Sequence, residues 1–127
     1  MKKVIIDTNF LLIPIKFRVD IFSEIERICE FKYGLYIIDK TIDELDKIVE
    51  EQRGKDKEAA KIAKQLVKAK KVKVIKTKKD KYADDLIVEA VKKGDIVATQ
   101  DKELKRRLKR KGVNSIGLRQ KQYLIMN

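Results

Sequence analysis

Five short apolar runs alternate along the chain with longer segments in which apolar residues recur every three or four positions. The short runs are rich in valine and isoleucine, which is typical of strands buried on both faces of a parallel sheet. They are Val4–Ile6, Leu35–Ile38, Val72–Ile75, Ile96–Ala98 and Val113–Leu118. The pattern therefore predicts five strands.

The longer segments predict helices. Ile21, Ile25 and Ile28 share one face of a helix over residues 19–32. Strands that alternate with helices predict an α/β protein, in which helices cover both faces of a parallel sheet. No Pro/Gly/Ser-rich linker interrupts the 127 residues, so we expect one domain over residues 1–127. The other predicted helices begin at Thr41 or cover residues 56–71, 82–91 and 102–111.

Acidic residues lie where the predicted strands end. Asp7 directly follows the first strand, and Asp101 lies three residues beyond the fourth. Glu44 falls in the first turn of the helix after the second strand. Asp84 and Asp85 fall in the first turn of the helix before the fourth strand. Open parallel sheets bind ligands beyond the carboxyl ends of their strands, so we expect these carboxylates to meet at one edge.

Carboxylates that meet in this way must retain some of their protons or bind cations. Two carboxylates about 5 Å apart repel by roughly 3 kcal/mol at an effective dielectric constant near 20. Divalent ions that prefer oxygen ligands relieve this repulsion, which indicates one or two Mg²⁺ or Mn²⁺ ions. Such ions lower the pKa of bound water and stabilise the leaving oxygen of a phosphodiester. The sequence therefore predicts metal-dependent hydrolysis.

Each acid also has a purely structural interpretation. Asp7 could cap a turn, and Thr41 with Glu44 has the spacing of a capping box. Asp84 favours a helix N-terminus through the helix dipole, and Asp101 could be an N-cap. These interpretations stay open for each residue alone, but four independent caps have no reason to converge on one sheet edge.

Composition excludes several other chemistries. The chain has no histidine, so a Ser-His-Asp triad, a Cys-His pair and a histidine-ligated zinc site cannot form. The single Cys29 can form no internal disulfide and is expected in the core, which suits a reducing cytoplasm. The apolar run from Val4 to Ile15 is short of a membrane span and contains Asp7. We expect a soluble, cytoplasmic protein with no membrane partner.

The net charge of +12 is concentrated in two segments. Residues 53–81 carry 13 basic and 3 acidic side chains, and residues 102–127 carry 9 basic and 1 acidic. Such segments favour a polyanionic partner because they release counterions from a phosphate backbone. Lysine-rich helix faces can also serve solubility alone. The candidate RNA-binding residues are Lys70, Lys71, Lys78, Lys79, Lys105 and Arg106.

Four segments of the sequence resemble the PIN-domain family, and together they extend the resemblance over essentially the whole chain. The segment around Asp84 looks most like the branch that includes rRNA-processing members, and the toxins of toxin–antitoxin pairs share the same domain. The lysine-rich residues 68–81 lie outside the family pattern. The four matching segments are Val4–Asn9, Thr41–Leu45, Tyr82–Val88 and Val97–Asp101.

The resemblance implies a three-layer α/β/α fold with a central parallel sheet of about five strands. It also implies a metal-dependent endoribonuclease that acts on single-stranded RNA. The implied partners are RNA and either an antitoxin protein or a ribosomal precursor. Formation of a homodimer is left undecided. Thr99 would position Asp101, and Asn9 would support Asp7 by hydrogen bonding. Carried over by position, the metal-binding and catalytic acids are Asp7, Glu44, Asp84 and Asp101, with Asp85 as a substitute for Asp84.

Other enzymes built on similar sheets fit the sequence less well. A dinucleotide-binding enzyme requires a glycine-rich turn after the first strand, and Asp7–Phe10 contains no glycine. Haloacid-dehalogenase-like phosphatases carry a second acid two positions further on, where this chain has Asn9. The alternative that remains is a non-catalytic, basic RNA- or ribosome-binding module whose acids are relics or helix caps.

Overall fold

A six-stranded sheet forms the centre of the computed structural model, which describes residues 1–127. The strand order is β3-β2-β1-β4-β5-β6; the first five strands run parallel, and β6 runs antiparallel to β5. The strands are β1 (Lys2–Ile6), β2 (Tyr33–Ile38), β3 (Lys73–Ile75), β4 (Ile96–Ala98), β5 (Asn114–Arg119) and β6 (Tyr123–Met126).

Six helices cover the sheet on both faces. A short 3-10 helix, Thr8–Leu12, connects β1 to the first of them. Helices α1 to α4 pack on one face, and α5 and α6 pack on the other. This arrangement confirms the predicted three-layer α/β/α fold. The helices are α1 (Ile13–Phe17), α2 (Ile21–Ile28), α3 (Asp39–Glu51), α4 (Gly54–Ala69), α5 (Ala83–Ala90) and α6 (Lys102–Arg110).

The central strand β1 is apolar at successive positions because it serves two cores. Val4 and Ile6 point into the larger core, with residues of α2, α3 and α4. Ile5 points into the smaller core, with Leu86 of α5 and Leu104 of α6. Each of the three β1 side chains is fully buried. Alternating side chains on opposite faces of a covered sheet account for the unbroken valine and isoleucine run.

The carboxyl ends of β1 and β4 lie level with each other. Ile6 pairs with Ala98 in parallel register, and the Asp7 amide donates to the Ala98 carbonyl across 2.9 Å. The next residues along each strand, Asp7 and Thr99, therefore emerge side by side at one edge of the sheet. We call this edge, where β1, β2 and β4 end, the acid edge.

Several predicted boundaries are corrected by the structure. Residues 8–17 form the 3-10 helix and α1, where no helix was predicted. Helix α3 begins at Asp39 and not at Thr41. Strand β6 was not predicted. Its turn from β5 contains Gln120 and Lys121 at φ 54° and 55°, so the usual glycine signal of a tight turn is missing.

The length and apolar character of the helices bear on whether the chain could cross a membrane. None of them combines the length and the apolar character that crossing a membrane requires.

Candidate active site

Asp7 is held in one orientation at the end of β1. Its Oδ2 accepts a hydrogen bond from the Thr99 hydroxyl at 2.9 Å, and its Oδ1 accepts one from the Thr8 amide at 2.8 Å. Thr99 is fully buried, so its hydroxyl is a fixed donor from the neighbouring strand β4. The ends of two adjacent strands thus fix the carboxylate of Asp7 from both sides.

The surroundings of Asp7 disfavour its negative charge. The side chain is half-buried, and no lysine or arginine pairs with it. Burial raises the pKa of Asp7 above its usual range; the hydrogen bonds from Thr99 and Thr8 oppose this rise, and the charges of Glu44 and Asp101 add to it. A cation beside Asp7 would stabilise its negative charge.

Glu44 is tied to Asp7 through Thr8. The Thr8 hydroxyl donates to Glu44 Oε1 at 2.6 Å, while the Thr8 amide donates to Asp7. The Thr41 hydroxyl, also fully buried, lies 3.2 Å from the Thr8 hydroxyl. Because α3 begins at Asp39, Thr41 lies inside the helix and is not its N-cap, so the capping-box interpretation of Glu44 is wrong.

Asp101 caps α6 and also reaches the acid edge. Its Oδ1 accepts hydrogen bonds from the amides of Glu103 and Leu104, which is an N-cap arrangement. Its own amide donates to the hydroxyl oxygen of Thr99, the group that donates to Asp7. Asp101 Oδ2 has no hydrogen-bond partner, so the cap leaves one oxygen free for a ligand.

Asp84 and Asp85 lie in the first turn of α5, where Arg107 of α6 faces them. Arg107 Nη1 is 2.8 Å from Asp85 Oδ1 and 3.6 Å from Asp84 Oδ2. The second oxygen of Asp84 accepts a hydrogen bond from the Asp85 amide. Asp84 is therefore held on the α5–α6 side of the sheet by Arg107 and the Asp85 amide.

The acids form a loose set and not a closed cage. No three acidic or cysteine side chains lie close enough together, in the conformations seen, to hold one ion. The charges of Glu44 and Asp101 act on Asp7, and Asp84 lies within ion-pair distance of Arg107. Mg²⁺ usually binds proteins through one or two carboxylates and keeps several waters and substrate phosphates as its other ligands. The donor set at Asp7 fits a water-rich site of that kind.

Thr99 was expected at the site from the sequence, but Thr8 and Thr41 were not expected there. Thr8 and Thr41 are buried and polar, and Thr8 has the position relative to Asp7 that was expected for Asn9. Asn9 itself is exposed and makes no hydrogen bond to Asp7. A threonine directly after a strand-ending aspartate was the signal available, because its hydroxyl and amide can serve two carboxylates at once.

The candidate RNA-binding residues do not form one surface. Lys70 and Lys71 precede β3 and lie at the edge of the sheet opposite the acids. Lys78 and Lys79 follow β3 on the acid side, where Lys79 pairs with Asp43 at 2.8 Å.

Two further candidates lie on α6. Lys105 is half-buried, and Arg106 pairs with Glu103 at 2.8 Å. The neighbouring Arg107, which sequence reasoning did not single out, is the residue of this helix that pairs with Asp84 and Asp85.

The fold and the site together define a three-layer α/β/α protein with an acidic site at the carboxyl edge of its central strands. The chain belongs to the PIN-like domain family, since the family model described as a PIN like domain matches residues 4–121. This agrees with the resemblance of the four sequence segments.

Named relatives and a solved structure support the same family. Ribonuclease VapC4 of Methanocaldococcus jannaschii is 35% identical in an alignment that covers 97% of this chain and 95% of the relative. Ribonuclease VapC9 of Archaeoglobus fulgidus is 32% identical in an alignment that covers 86% of this chain and 77% of the relative. The solved structure of the PIN domain endonuclease Utp24 matches with a TM-score of 0.81 and 29% identity, over 98% of this chain and 90% of that one.

Proposed function

We propose that this protein is a divalent-metal-dependent endoribonuclease that hydrolyses phosphodiester bonds in single-stranded RNA. The observation that carries the proposal is the state of Asp7. It is a half-buried carboxylate, fixed by Thr8 and Thr99, close to the charges of Glu44 and Asp101, and without a basic partner. A group in this state favours a cation. The names of the relatives, two ribonucleases and one endonuclease, agree with this activity.

The residues that would hold Mg²⁺ or Mn²⁺ are Asp7, Glu44 and Asp101. Asp84 would join them from helix α5. One or two bound ions would supply an activated water and neutralise charge on the phosphate. The chain contributes orientation: Thr99 and Thr8 fix the two oxygens of Asp7, and Thr8 also fixes Glu44. Hydrogen-bonded neighbours of this type typically orient metal-ligating carboxylates.

RNA fits the electrostatics of the rest of the molecule. The net charge of +12 favours association with a phosphate backbone. Lys78 and Lys79 follow β3 on the acid side, so a strand that reaches Asp7 can also contact basic side chains.

The cleavage test compares RNA, metal and two variants. We expect the wild-type protein to cut single-stranded RNA with Mn²⁺ and not with EDTA. Asp7→Asn should lower the rate by at least about 100-fold, because it removes a metal ligand worth several kcal/mol in the transition state. Glu50→Gln is the matched control, since Glu50 is exposed and lies on α3 with Glu44. Tight RNA binding without cutting in any sample would favour the non-catalytic module instead.

The family resemblance leaves two alternative cellular roles for this cleavage activity, a toxin and a processing enzyme. A toxin-type ribonuclease would arrest growth when expressed, and an antitoxin protein encoded beside it would relieve the arrest. Deletion of a processing enzyme would leave a ribosomal RNA precursor uncut. Growth curves after expression of the wild type and of Asp7→Asn test the toxin role, and rRNA precursors in a deletion strain that carries either protein test the processing role.

A further inference from the structure

A basic groove lies between α6 and β5, on the face of the sheet that also carries α5. Its volume is about 380 Å³, and none of the residues that line it is acidic. Four cations line the groove along α6, and polar side chains of β5 and the C-terminus line its other wall. The residues are Lys102, Lys105, Arg106, Lys109, Val113, Asn114, Ser115 and Asn127. We call this the α6 groove.

Lys105 lies over Gly117, where the absence of a side chain leaves room for its ammonium group. A β-carbon built at Gly117 would lie only 2.6 Å from Lys105 Nζ. Gly117 lies within β5, and its backbone is not in the left-handed region. The effect of the glycine here is therefore the space left by its missing side chain. The strand therefore leaves a recess in which the ammonium group of Lys105 rests.

The Lys105 ammonium has no partner in this recess. It forms no ion pair and donates no side-chain hydrogen bond. Burial lowers the pKa of Lys105, and the charges of Arg119 and Lys102 lower it further. The charges of Lys102 and Arg119 thus act on Lys105, and no acidic side chain pairs with any of the three, an arrangement that favours binding of an anion.

The α6 groove begins beside the acid edge. Lys102 directly follows Asp101, and Lys105 comes one helical turn later. With a rise of 1.5 Å per residue, Lys102 and Lys109 are separated by about 10 Å along the helix axis. A strand whose phosphate lies at Asp101 can therefore continue into the groove.

We propose that the α6 groove binds backbone phosphates of the RNA strand next to the cleavage site, with Lys105 above Gly117 at its centre. This inference rests on the proposed ribonuclease function and adds the path of the substrate. Lys105 and Lys102 contribute most, because neither has an acidic partner. Arg106 contributes less, because it already pairs with Glu103 at 2.8 Å.

The test measures RNA binding without cleavage. Each variant is made in the full-length Asp7→Asn protein, and binding of a short single-stranded RNA is followed by fluorescence anisotropy in EDTA at several salt concentrations. Lys105→Ala should weaken binding about tenfold, as expected for one charge-assisted hydrogen bond. It should also reduce the salt slope by about 0.7. Lys61→Ala, which removes an exposed lysine of α4 on the opposite face, is the control and should leave both unchanged.

Gly117→Ala provides the decisive comparison. Its methyl group displaces the flexible tip of Lys105 without removing the charge, so melting temperature should change little while RNA binding falls as it does in Lys105→Ala. The double variant should bind no more weakly than Lys105→Ala alone, because both changes remove the same contact. Parent-like binding by both single variants, or losses that multiply in the double variant, would overturn the proposal.

Two competitors test the nature of the ligand. Polyglutamate or inorganic phosphate that binds as tightly as the RNA would contradict a groove for a phosphate-linked strand. Because the assay uses inactive, metal-free protein, its outcome is independent of catalysis. Unchanged binding in the Lys105 and Gly117 variants would overturn the groove and leave the ribonuclease proposal intact. A wild type that never cuts RNA, although the Lys105 and Gly117 variants weaken its binding, would overturn the ribonuclease proposal and reduce the groove to an RNA-binding surface without a cleavage site.

Discussion

The Thr8 hydroxyl donates to Glu44 Oε1 at 2.6 Å and thereby joins the residue after Asp7 to helix α3. Thr8→Val keeps the shape of the side chain but removes this donor. We expect cleavage activity to fall by about 10- to 100-fold, the usual effect of losing a residue that orients a metal ligand. Thr8→Ser, which keeps the hydroxyl, should retain most of the activity. Equal activity of the two variants would show that the link to Glu44 has no catalytic role.

Asp101 combines a cap with a free carboxylate oxygen, and two substitutions separate these roles. Asparagine is as good an N-cap as aspartate, so Asp101→Asn should keep the free energy of unfolding within a few tenths of a kcal/mol. It should nevertheless lose activity, because the negative charge is gone. Asp101→Ala should lose about 0.5–2 kcal/mol of stability as well. Full activity in a stable Asp101→Asn protein would reduce Asp101 to a helix cap.

Asp84 and Asp85 differ in how closely Arg107 holds them, at 3.6 Å and 2.8 Å. Asp84 is therefore the freer carboxylate. Asp84→Asn should lower the cleavage rate by more than about tenfold. Asp85→Asn should act mainly by loosening Arg107, a partly exposed ion pair worth about 1 kcal/mol. Cleavage rates and urea unfolding of the two variants check this. A larger rate loss in Asp85→Asn would transfer the metal-binding role to Asp85.

The lysines before and after β3 should differ in their effect on RNA binding. Lys78→Ser with Lys79→Ser should reduce the salt slope of RNA binding by up to about 1.4, corresponding to two lost phosphate contacts. Lys70→Ser with Lys71→Ser should leave the slope unchanged, because these residues lie at the sheet edge opposite the acids. A larger effect of the second pair would place the RNA on the opposite edge.

Much of the fold was predictable because buried strands leave a strong signal. Runs such as Val4–Ile6 are apolar without interruption, and the polar residue that ends such a run marks the end of the strand. This is why Asp7 could be assigned to the carboxyl edge from sequence. Strand β6 escaped because its turn uses Gln120 and Lys121 in left-handed conformations that glycine or asparagine usually occupies.

The partners of the site residues were less predictable, because they depend on how helices are rotated against each other. Arg106 and Arg107 are equivalent by charge, yet only Arg107 faces α5 and pairs with Asp85. Thr8 and Glu44 meet across two elements that are far apart in the sequence. Periodicity shows which helix face is apolar but not which polar side chain meets which carboxylate.

The raised pKa of Asp7 predicts how stability depends on pH in metal-free protein. In the unfolded chain an aspartate loses its proton near pH 4, whereas folded Asp7 holds its proton to higher pH because it is buried. The folded state therefore binds more protons within this window, so ionisation of Asp7 makes the free energy of unfolding fall as pH rises. Above the folded-state pKa the loss is complete and constant.

Asp7→Asn removes this titration. In EDTA, the free energy of unfolding of the variant minus that of the wild type should increase from about pH 4 upward and then level off. Comparing the change with pH, and not the absolute stability, avoids the separate effect of the amide on the hydrogen bond from Thr8. At neutral pH, Mn²⁺ at about 100 times its dissociation constant should stabilise the wild type by about 2.7 kcal/mol and the variant far less. A pH-independent difference in EDTA would show that the charge of Asp7 does not destabilise the metal-free fold. Equal stabilisation of both proteins by Mn²⁺ would show that Asp7 is not a metal ligand.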